Sequence, residues 1–310
     1  MEPKPLVSVV VPCRNRAHFL KPTIDSILEQ SYPRIECIVV DAASLDGTVE
    51  LLKGYGARIR WISEPDGGHA DAINKGWKMS AGEILAWLNA DDMWAVPDSV
   101  TTAVDYLIAN PDADVVYGES ATVNEEGEAI GWSYVRDWDL RHAVEHCDHC
   151  ICQPAAFFRR SIIEKTGGLD VAFISKKDHE LWLRIALAGT IRRIPGVLAR
   201  ERACPGTWAT RGDITAWACV ALTRKFYSLP GVPESLLEIK SRAISNSYRR
   251  GMDYAWYDGR HWTTILYYAF RGILADWSNR WHVKVRLDSY LREGGKENVW
   301  IRALSKLLFA

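Results

Sequence analysis

The feature that most constrains the fold is a regular alternation of short apolar runs and amphipathic segments in the first third of the chain. The runs rich in β-branched residues predict strands at residues 6–11, 35–40, 59–62 and 84–88. Between them, apolar residues recur at helical spacing over residues 18–30, 48–55 and 71–79. Such strand–helix units predict an α/β fold, with a Rossmann-like, mostly parallel sheet flanked by helices.

Three of the predicted strands end in loops that carry polar or charged side chains. The first strand runs into Pro-Cys-Arg-Asn-Arg at residues 12–16, the second ends at Asp41, and the fourth runs into Asn-Ala-Asp-Asp at residues 89–92. Ligands on open α/β sheets bind outside the carboxyl ends of the strands. We therefore expect the three loops to converge on one edge of the sheet and to form the site.

The adjacent carboxylates of Asp91 and Asp92 restrict what their turn can do. Like charges this close repel each other, and burying both without a partner would be costly. A divalent cation removes that cost, since Mg²⁺ and Mn²⁺ favour oxygen ligands and usually bind substrate phosphates as well. A solvated turn that caps the following helix is an equally good interpretation of these residues alone.

The rest of the chain divides in two by pattern and by charge. Strands are predicted at residues 115–118 and 154–158, and a helix at residues 178–188. Beyond residue 215 the pattern is helical, with 6 of the 14 tryptophans and with 15 basic against 8 acidic residues. We therefore predict an α/β domain at residues 1–212 and a basic, Trp-rich helical region at residues 213–310.

Several motifs, taken in their order along the chain, carry a resemblance to a known family. They lie at residues 7–16, 38–48, 66–76, 82–92, 153–159, 167–170 and 177–184. In this order and at these separations, the sequence resembles the family 2 glycosyltransferases of the GT-A fold. The resemblance covers about residues 5 to 212. It implies that this part is a catalytic domain, with the remaining helices as a C-terminal appendage.

The resemblance assigns the donor-binding roles residue by residue. Pro12, Arg14 and Asp41 resemble the nucleotide pocket of the family, with Asp41 at the uracil or the ribose. Ser44 and Asp71 resemble supporting contacts to the nucleoside. The implied ligand is a nucleotide sugar, and we expect a UDP-linked or similar pyrimidine-linked donor.

The resemblance also assigns the metal ligand and the catalytic base. Asn89-Ala90-Asp91 matches the Asp-x-Asp metal motif of the family, with Asn in place of the first acid. We therefore expect Asp91 to bind Mg²⁺ or Mn²⁺ directly and Asn89 to be a weaker partner. Asp178 matches the general base of the inverting members, although a helix N-cap is an alternative role for it. Trp182, one helical turn further on, is expected to line the acceptor site.

One departure from the family pattern concerns the end of the catalytic domain. The family often has a His there, after an Arg, which assists the metal or the diphosphate. Here Arg202 is followed by Cys204 at that place. A neutral thiol is a poor ligand for a hard cation such as Mg²⁺. We therefore expect either a weaker metal affinity or a metal held mostly by the diphosphate and Asp91.

The predicted function is that of an inverting glycosyltransferase in polysaccharide or glycoconjugate assembly. A metal stabilises the leaving nucleoside diphosphate, and a carboxylate takes the proton of the attacking hydroxyl. The expected partners are the donor and a sugar or lipid-linked sugar acceptor, with no nucleic acid. A dinucleotide-dependent oxidoreductase is disfavoured, because the first strand does not end in a Gly-x-Gly-x-x-Gly turn. A non-catalytic nucleotide-binding or zinc-binding module remains the other alternative.

A cluster of His and Cys residues raises the possibility of zinc. Its members are His142, His146, Cys147, His149, Cys150 and Cys152. Cys147 and Cys150 form a Cys-x-x-Cys pair, which is a common zinc-binding spacing. The chain has no second such pair, and the alternative is a loop on the acceptor side whose thiols pack inward.

Cysteine usage, the N-terminus and the C-terminal region bear on location. Seven cysteines is an odd number, and several lie in predicted core segments, which favours a reducing, cytoplasmic setting. The N-terminus lacks the pattern of a signal peptide. The basic, Trp-rich region suits peripheral contact with the inner face of a membrane. The alternative is that its tryptophans pack against the catalytic domain.

Overall fold

The computed structural model describes residues 4–148, 150–204, 212–259 and 262–293. Within these residues, nine strands join one mixed sheet. The strands are β1 (Val7–Cys13), β2 (Ile35–Asp41), β3 (Arg60–Ser63), β4 (Ile84–Trp87), β5 (Met93–Trp94), β6 (Val115–Val123), β7 (Ala129–Trp132), β8 (Ala156–Arg159) and β9 (Ile191–Arg202). The strands and helices predicted from periodicity are all present, with ends that move by at most two residues except in β6, which extends five residues further, to Val123.

The strand order is β3-β2-β1-β4-β8-β6-β9-β5, and β7 pairs with β6. Strands β1 to β4 are parallel, as predicted. Strand β8 is antiparallel to both of its neighbours, and β5 is antiparallel to β9, while β6 and β9 are parallel. The sheet is therefore mixed beyond β4, and the carboxyl ends of β1, β2 and β4 lie side by side.

The helices of the described residues follow the same chain order. They are α1 (Ala17–Leu28), α2 (Thr48–Gly54), α3 (His69–Met79), α4 (Ser99–Ala109), α5 (Leu140–His146), α6 (Arg160–Thr166), α7 (Lys177–Ala188), α8 (Gly212–Phe226), α9 (Glu234–Leu237), α10 (Lys240–Tyr257), α11 (Trp262–Ala275) and α12 (Arg280–Glu293). None of these helices is long and apolar enough to cross a membrane.

Two apolar layers cover the sheet, because successive side chains of a strand point to opposite faces. Val9 and Val11 of β1 pack in the layer that contains Leu20 of α1. Val10 packs in the other layer with Ile73 of α3. Helix α3 lies very close to β1, since a Cβ on Gly76 would come within 2.4 Å of a Val10 methyl group. This approach fixes α3 on the sheet, with its first residue beside the carboxyl ends of the strands.

The described chain divides into two compact units. The sheet unit comprises residues 4–138 and 150–204, and the helical unit comprises residues 139–148 and 212–293 except for the gap at 260–261. Residues 139–148, which the sequence-based division placed in the α/β domain, pack in the helical unit. The predicted boundary near residue 212 adjoins residues 205–211, which lie outside the described residues, so its exact position stays a prediction.

A buried carboxylate anchors the core of the helical unit. Asp253 of α10 is 4% exposed and accepts hydrogen bonds from the Arg286 guanidinium and the Tyr290 hydroxyl of α12. Around it, α10, α11 and α12 share one apolar cluster. The fully buried members of that cluster include Met252, Ala255, Ile265, Ala269, Val283 and Leu287.

Candidate active site

Asp41, the last residue of β2, is fully buried and held by hydrogen bonds on both carboxylate oxygens. Its Oδ2 accepts from the Ser44 backbone N–H at 3.0 Å and from the Ser63 hydroxyl at 2.6 Å. Its Oδ1 accepts from the Ser44 hydroxyl. Three donors satisfy a carboxylate that would otherwise be costly to bury. Asp41 is therefore fixed in position at the carboxyl edge of the sheet.

The loops after β1 and β2 are joined to each other. The Asn15 N–H donates to the Ser44 hydroxyl at 2.7 Å, and the Leu45 N–H donates to the Asn15 side-chain oxygen at 2.9 Å. Asn15 and Ala43 both adopt positive φ, which is uncommon for residues other than glycine. Pro12 is buried in β1 beside β2, and Arg14 is exposed above it.

The start of α3 adds further polar groups to this edge of the sheet. Asp71 accepts a hydrogen bond from the Gly67 N–H at 2.9 Å and lies 3.5 Å from the Lys75 ammonium. The Gly67 hydrogen bond, followed by the charge of Lys75, lowers the pKa of Asp71 despite partial desolvation. Lys75 also pairs with Glu64 at 3.1 Å, in the loop after β3. This arrangement keeps Asp71 ionised and ties the Gly-rich loop to the edge of the sheet.

Asn89, at the end of β4, is the centre of a buried hydrogen-bond network. Its amide nitrogen donates to Asp92 Oδ2 at 2.7 Å and to Gln153 Oε1 at 3.3 Å. The amide nitrogen of Gln153 in turn donates to the Trp87 carbonyl at 2.8 Å. The remaining Asn89 oxygen lies 2.9 Å from His69 Nε2. Because the nitrogen of Asn89 faces a carboxylate, its oxygen must accept, and the His69 Nε2–H donates.

The two carboxylates of the turn have different surroundings. Asp92 is 2% exposed and also accepts from the Arg202 backbone N–H at 3.1 Å. Burial, followed by the negative charges of Asp91 and Glu201, raises the pKa of Asp92. Burial also raises the pKa of Asp91, against the opposing charges of Arg16 and Arg202. Because burial disfavours the ionised form of both carboxylates, a bound cation would offset the cost of their charge.

Arg202, the last residue of β9, holds the Asp91 turn in place through hydrogen bonds to backbone carbonyls. Its Nε donates to the Asp91 carbonyl at 3.2 Å, and its guanidinium also donates to the carbonyls of Asn124 and Glu125. The guanidinium lies 5.0 Å from the centre of the Phe19 ring on α1. Arg202 is 7% exposed, so it positions the turn and is not a free cation of the site.

His69 links the turn to the start of α7. Burial, followed by the positive charge of Lys177, lowers the pKa of His69 to about 3, against the opposing effects of Asn89 and Asp178. The ring is therefore neutral at physiological pH and serves as a hydrogen-bond donor to Asn89. Burial also lowers the pKa of Lys177, against the effect of Asp178. Asp178 thus lies close enough to act on both side chains.

Helix α7, which carries Asp178 in its first turn, is fixed by an ion pair. The Arg184 guanidinium lies 2.7 Å from the carboxylate of Glu180, which is almost fully buried. Arg184 also donates to the carbonyl of Gly168 at 2.7 Å. From the other side, Asn74 of α3 exchanges hydrogen bonds of 2.8 and 2.9 Å with the Leu169 backbone. The segment 167–170 is therefore held between α3 and α7, which fixes α7 relative to the sheet.

The structure brings most of the predicted site residues to the same edge. Asp41 and Ser44 form one cluster. Asn89 is hydrogen-bonded to Asp92, the neighbour of Asp91, and to His69, on which the charge of Asp178 acts. The alternative of helix caps fails for both acidic segments. Asp98 precedes α4, and Lys176 precedes α7 with positive φ, so neither Asp91 nor Asp178 is an N-cap.

The prediction that Trp182 lines the acceptor site is wrong. Trp182 is fully buried in the layer below the sheet, where its ring stacks on Phe158 at 5.1 Å and on Trp87 at 6.2 Å. One helical turn advances the chain by about 5.4 Å along the axis. This distance is enough to move a side chain from the partly exposed start of α7 into the core.

The donor set of the turn fits a divalent cation that binds mainly through its substrate. Asp91 is a partly buried carboxylate whose ionised form is disfavoured by burial, and it is adjacent to the buried Asp92. The oxygen of Asn89 already accepts one hydrogen bond from His69, so this residue is a weaker ligand than Asp91. Within the described residues, no three His, Cys, Asp or Glu side chains converge as a metal site. Mg²⁺ and Mn²⁺ sites with one or two carboxylates complete their shell with phosphate oxygens and water.

The cysteine positions argue against a zinc site. All seven cysteines of the sequence lie among the described residues, and each is a buried free thiol. Cys147 points to the Cys219 carbonyl at 3.6 Å, Cys150 to the Asp137 carbonyl at 3.6 Å, and Cys152 towards Glu201 at 3.7 Å. The thiols therefore pack inward at separate places. His149 lies outside the described residues.

Cys204 is 6% exposed and close to the acidic turn. Burial, followed by the charge of Asp91, raises the pKa of its thiol. A protonated thiol is a poor ligand for a hard cation. The residues that follow it, 205–211, lie outside the described residues.

The site also contains residues that the sequence interpretation did not single out. They are Arg16, His69, Gln153 and Lys177, together with the positioning role of Arg202. His69 stood inside a motif, directly after two glycines at the start of a helix, and that place was the available signal. Arg202 had no local signal, because its contacts with Asp91 and Asn124 span most of the sheet.

Comparison with known proteins gives consistent results. The sequence model named Glycosyl transferase family 2 matches residues 8–167. An uncharacterized glycosyltransferase of Mycobacterium tuberculosis is 30% identical over 277 residues, covering 86% of this chain and 98% of the relative. An uncharacterized glycosyltransferase of Rickettsia felis is 29% identical over 216 residues, covering 64% of this chain and 34% of the relative. The chain therefore spans about a third of that longer protein.

Two solved structures share the fold. S. aureus TarS 1-349 in complex with UDP-GlcNAc has a TM-score of 0.69 at 15% identity, covering 93% of this chain and 87% of that chain. The mannosyltransferase PcManGT from Pyrobaculum calidifontis, in complex with GDP-Man and Mn²⁺, has a TM-score of 0.60 at 22% identity, covering 96% and 88%. At these identities the similarity is one of fold.

Proposed function

Because the chain belongs to glycosyltransferase family 2, with a family match over residues 8–167, and is a glycosyltransferase, we propose that it inverts the anomeric centre of a sugar as it transfers that sugar from a nucleoside diphosphate to an acceptor hydroxyl. The observation that carries this proposal is the hydrogen-bond network centred on Asn89. This network, which joins Asp92 of the turn to His69, supports the proposal because the His69 ring lies within electrostatic reach of Asp178 at the start of α7.

The nucleoside of the donor is assigned to the pocket between the loops after β1 and β2. In this assignment Asp41 and Ser44 would contact the nucleoside, with Pro12 and Arg14 of the β1 end and Asp71 of α3 as further contacts. Since Asp41 already accepts hydrogen bonds from two serines, the pocket is preorganised before the donor binds. We favour a UDP-linked donor from the sequence resemblance. PcManGT, which shares the fold, was solved with a guanosine-linked donor, so both bases belong in the test.

The diphosphate is assigned to the Asp91 turn. Asp91 would hold Mg²⁺ or Mn²⁺ as the direct protein ligand, with Asn89 as a weaker partner. A bound divalent cation supplies neutralisation of the charge that develops on the leaving diphosphate. The residues of this chain contribute the position of the carboxylate. Thr23 of α1 donates to the Asp92 carbonyl at 2.7 Å, and Arg202 donates to the Asp91 carbonyl.

Asp178 is assigned as the general base. An acceptor hydroxyl is a poor nucleophile until a carboxylate removes its proton during attack. Asp178 is partly exposed in the first turn of α7, next to Lys177 and within electrostatic reach of His69. Because a single base acts on a single displacement, the product has inverted configuration. We propose that the acceptor is a hydroxyl of a growing polysaccharide or glycoconjugate.

The nucleotide and the role of the metal are tested by thermal shift. We expect a matching nucleotide sugar, UDP-linked in our proposal and GDP-linked in the alternative, to raise the melting temperature in the presence of Mn²⁺. At a ligand concentration of roughly 100 Kd, the stabilisation is about 2.7 kcal/mol. Stabilisation that is equally large with EDTA would contradict the assignment of Asp91 to a metal.

The base is tested by Asp178→Asn on the donor and acceptor found in this way. We expect kcat to fall by about 10²–10⁴-fold, because general-base catalysis contributes that much, while the donor thermal shift remains. Glu164→Gln, an exposed carboxylate on α6, is the matched control and should leave kcat unchanged. Full turnover by Asp178→Asn would refute the assignment.

A further inference from the structure

The second half of the helical unit presents large apolar side chains to solvent at helical intervals. We call this surface the aromatic face. Its members, each about half exposed or more, are Tyr267 (55%), Phe270 (49%), Leu274 (63%), Trp277 (62%), Trp281 (51%) and Val285 (65%). The intervals of three and four residues place those of α11 on one side of that helix, and those of α12 on one side of theirs.

The aromatic face is distinct from the side of each helix that is buried in the unit. Helix α11 buries Ile265, Ala269 and Ile273, and α12 buries Val283 and Leu287. At about 100° per residue, the exposed residues centre about 130° around α11 and about 160° around α12 from the buried ones. Each helix is therefore apolar on two sides, and its own unit covers one of them.

The size of this surface calls for a ligand or partner. Four of its six members are aromatic, and they present on the order of 400 Å² to solvent when about half exposed. Monomeric soluble proteins rarely expose contiguous apolar patches larger than a few hundred Å². Scattered surface hydrophobics need no explanation, but three on one side of α11 and two on one side of α12, with Trp277 in the turn between them, do.

The charges around the aromatic face are mainly basic, although Asp276, directly before Trp277, accepts hydrogen bonds from the Ser278 backbone N–H and hydroxyl. Arg271 is the one charged residue in the sequence of α11, and its guanidinium lies 5.9 Å from the Tyr248 ring. The Arg280 guanidinium lies 5.0 Å from the Trp277 ring and 5.4 Å from the Trp281 ring. The neighbouring acid Asp288 is paired with Lys284 at 2.7 Å. Arginines that pack on aromatic rings keep donors available for a phosphate.

We propose that the aromatic face binds the surface of an anionic lipid bilayer. Trp and Tyr rings, which have an apolar body and a polar edge, favour the interface between lipid tails and headgroups. The guanidinium groups of Arg271 and Arg280 then reach the headgroup phosphates. Symmetric pairing of two copies through this face is disfavoured, because a twofold contact brings the same basic patch against itself. The proposal is independent of the transfer reaction.

Vesicle cosedimentation of the full chain tests the proposal without any turnover measurement. We expect binding to phosphatidylcholine vesicles that contain about 30 mol% phosphatidylglycerol, and much weaker binding to pure phosphatidylcholine. High salt should weaken the binding, because exposed charges are screened. Trp277→Ser with Trp281→Ser should lower the partition coefficient at least tenfold. Arg271→Gln and Arg280→Gln should each lower it by roughly fivefold.

The matched control is Trp132→Ser, which removes a tryptophan that is 69% exposed on β7 of the sheet unit. It should bind vesicles like the wild type, and circular dichroism should show that every variant is folded. Absence of binding to anionic vesicles at low salt would overturn the proposal, as would an equal loss in Trp132→Ser. A concentration-dependent dimer that the Trp277 and Trp281 changes abolish, without wild-type vesicle binding, would assign the face to a second copy.

Discussion

The two units of the chain each bury a carboxylate, and they treat it in opposite ways. In the helical unit, Asp253 meets the Arg286 guanidinium and the Tyr290 hydroxyl. In the sheet unit, Asp92 meets an amide and a backbone N–H, with the charges of Asp91 and Glu201 nearby. The first carboxylate is compensated within the protein and serves stability. The second belongs to a site where negative charge is left for a ligand to compensate.

The largest expected effect concerns the carboxylates of the sheet unit. Asp91→Asn should lower kcat/KM by roughly 10⁴-fold, since loss of metal-assisted charge stabilisation is worth several kcal/mol. The metal-free variant should nevertheless melt at or above the wild-type temperature, because a carboxylate with a raised pKa is replaced by a neutral amide. Enzyme assays and calorimetry measure the two effects.

The matched change in the helical unit is Asp253→Asn. It leaves Arg286 without its charged partner and should destabilise the protein by about 2 kcal/mol, with kcat unchanged once the protein is folded. If Asp91→Asn lost stability and Asp253→Asn did not, the contrast between the two carboxylates would be incorrect.

The second prediction compares buried and exposed tryptophans. Trp182→Ala should lower the free energy of unfolding by about 3–5 kcal/mol, because it opens a cavity in the stack with Trp87 and Phe158. Trp277→Ala, on the aromatic face, should change it by less than about 0.5 kcal/mol. Urea denaturation measures both values. Wild-type stability with a raised acceptor KM in Trp182→Ala would restore Trp182 to the acceptor site.

The third prediction concerns pH. The pKa values of Asp91 and Asp92 are raised in the folded protein, so the folded state binds protons more tightly than the unfolded state. The metal-free protein should therefore gain stability from these two groups as pH falls through their raised pKa values towards the ordinary value of about 4. The gain is about 1.4 kcal/mol per pH unit for each proton taken up.

Melting curves between neutral and mildly acidic pH show this gain most clearly as a difference between wild type and Asp91→Asn, which lacks one of the titrating groups. Bound Mn²⁺ and donor should reduce it, since they stabilise the ionised carboxylates. An identical pH dependence in both proteins would show that Asp91 ionises normally.

The smallest expected effect tests the Asn89 network. His69→Leu removes the donor to the Asn89 oxygen and should lower kcat/KM about tenfold, which corresponds to one lost hydrogen bond of about 1.4 kcal/mol. His69→Gln can still donate and should stay within about threefold of the wild type. His18→Leu, at an exposed position on α1, is the control. Equal loss in the Leu and Gln variants would assign His69 to packing.

Local pattern was sufficient to predict the first half of the sheet. The runs of β1, β2 and β4 are apolar and β-branched, and their carboxyl ends met at one edge as parallel strands require. Strand β9 was not predicted from the sequence. It contains several arginines, is interrupted by Pro195-Gly196, and lacks the continuous apolar run of a buried strand. The reversal of β8 could not be predicted, since strand order depends on long-range packing.

The site residues that directly follow a strand could also be predicted from the sequence. Asp41 and Asp91 each follow a strand directly, so their placement followed from topology. Arg202 reaches the turn only after β9 crosses the sheet, and no spacing in the sequence encodes that contact. For Trp182, helical periodicity predicted the side of α7 on which it lies relative to Asp178. It did not predict whether the side chain is buried.

The inward packing of every thiol makes the protein a convenient host for a spectroscopic label. Burial raises the pKa of Cys13 and Cys37 to about 12, so maleimide reagents should leave them unreacted in the folded state. Leu45, which is 95% exposed beside Ser44, is then a natural place for a single introduced cysteine. A fluorophore at that position should report nucleotide occupancy without the removal of any native cysteine.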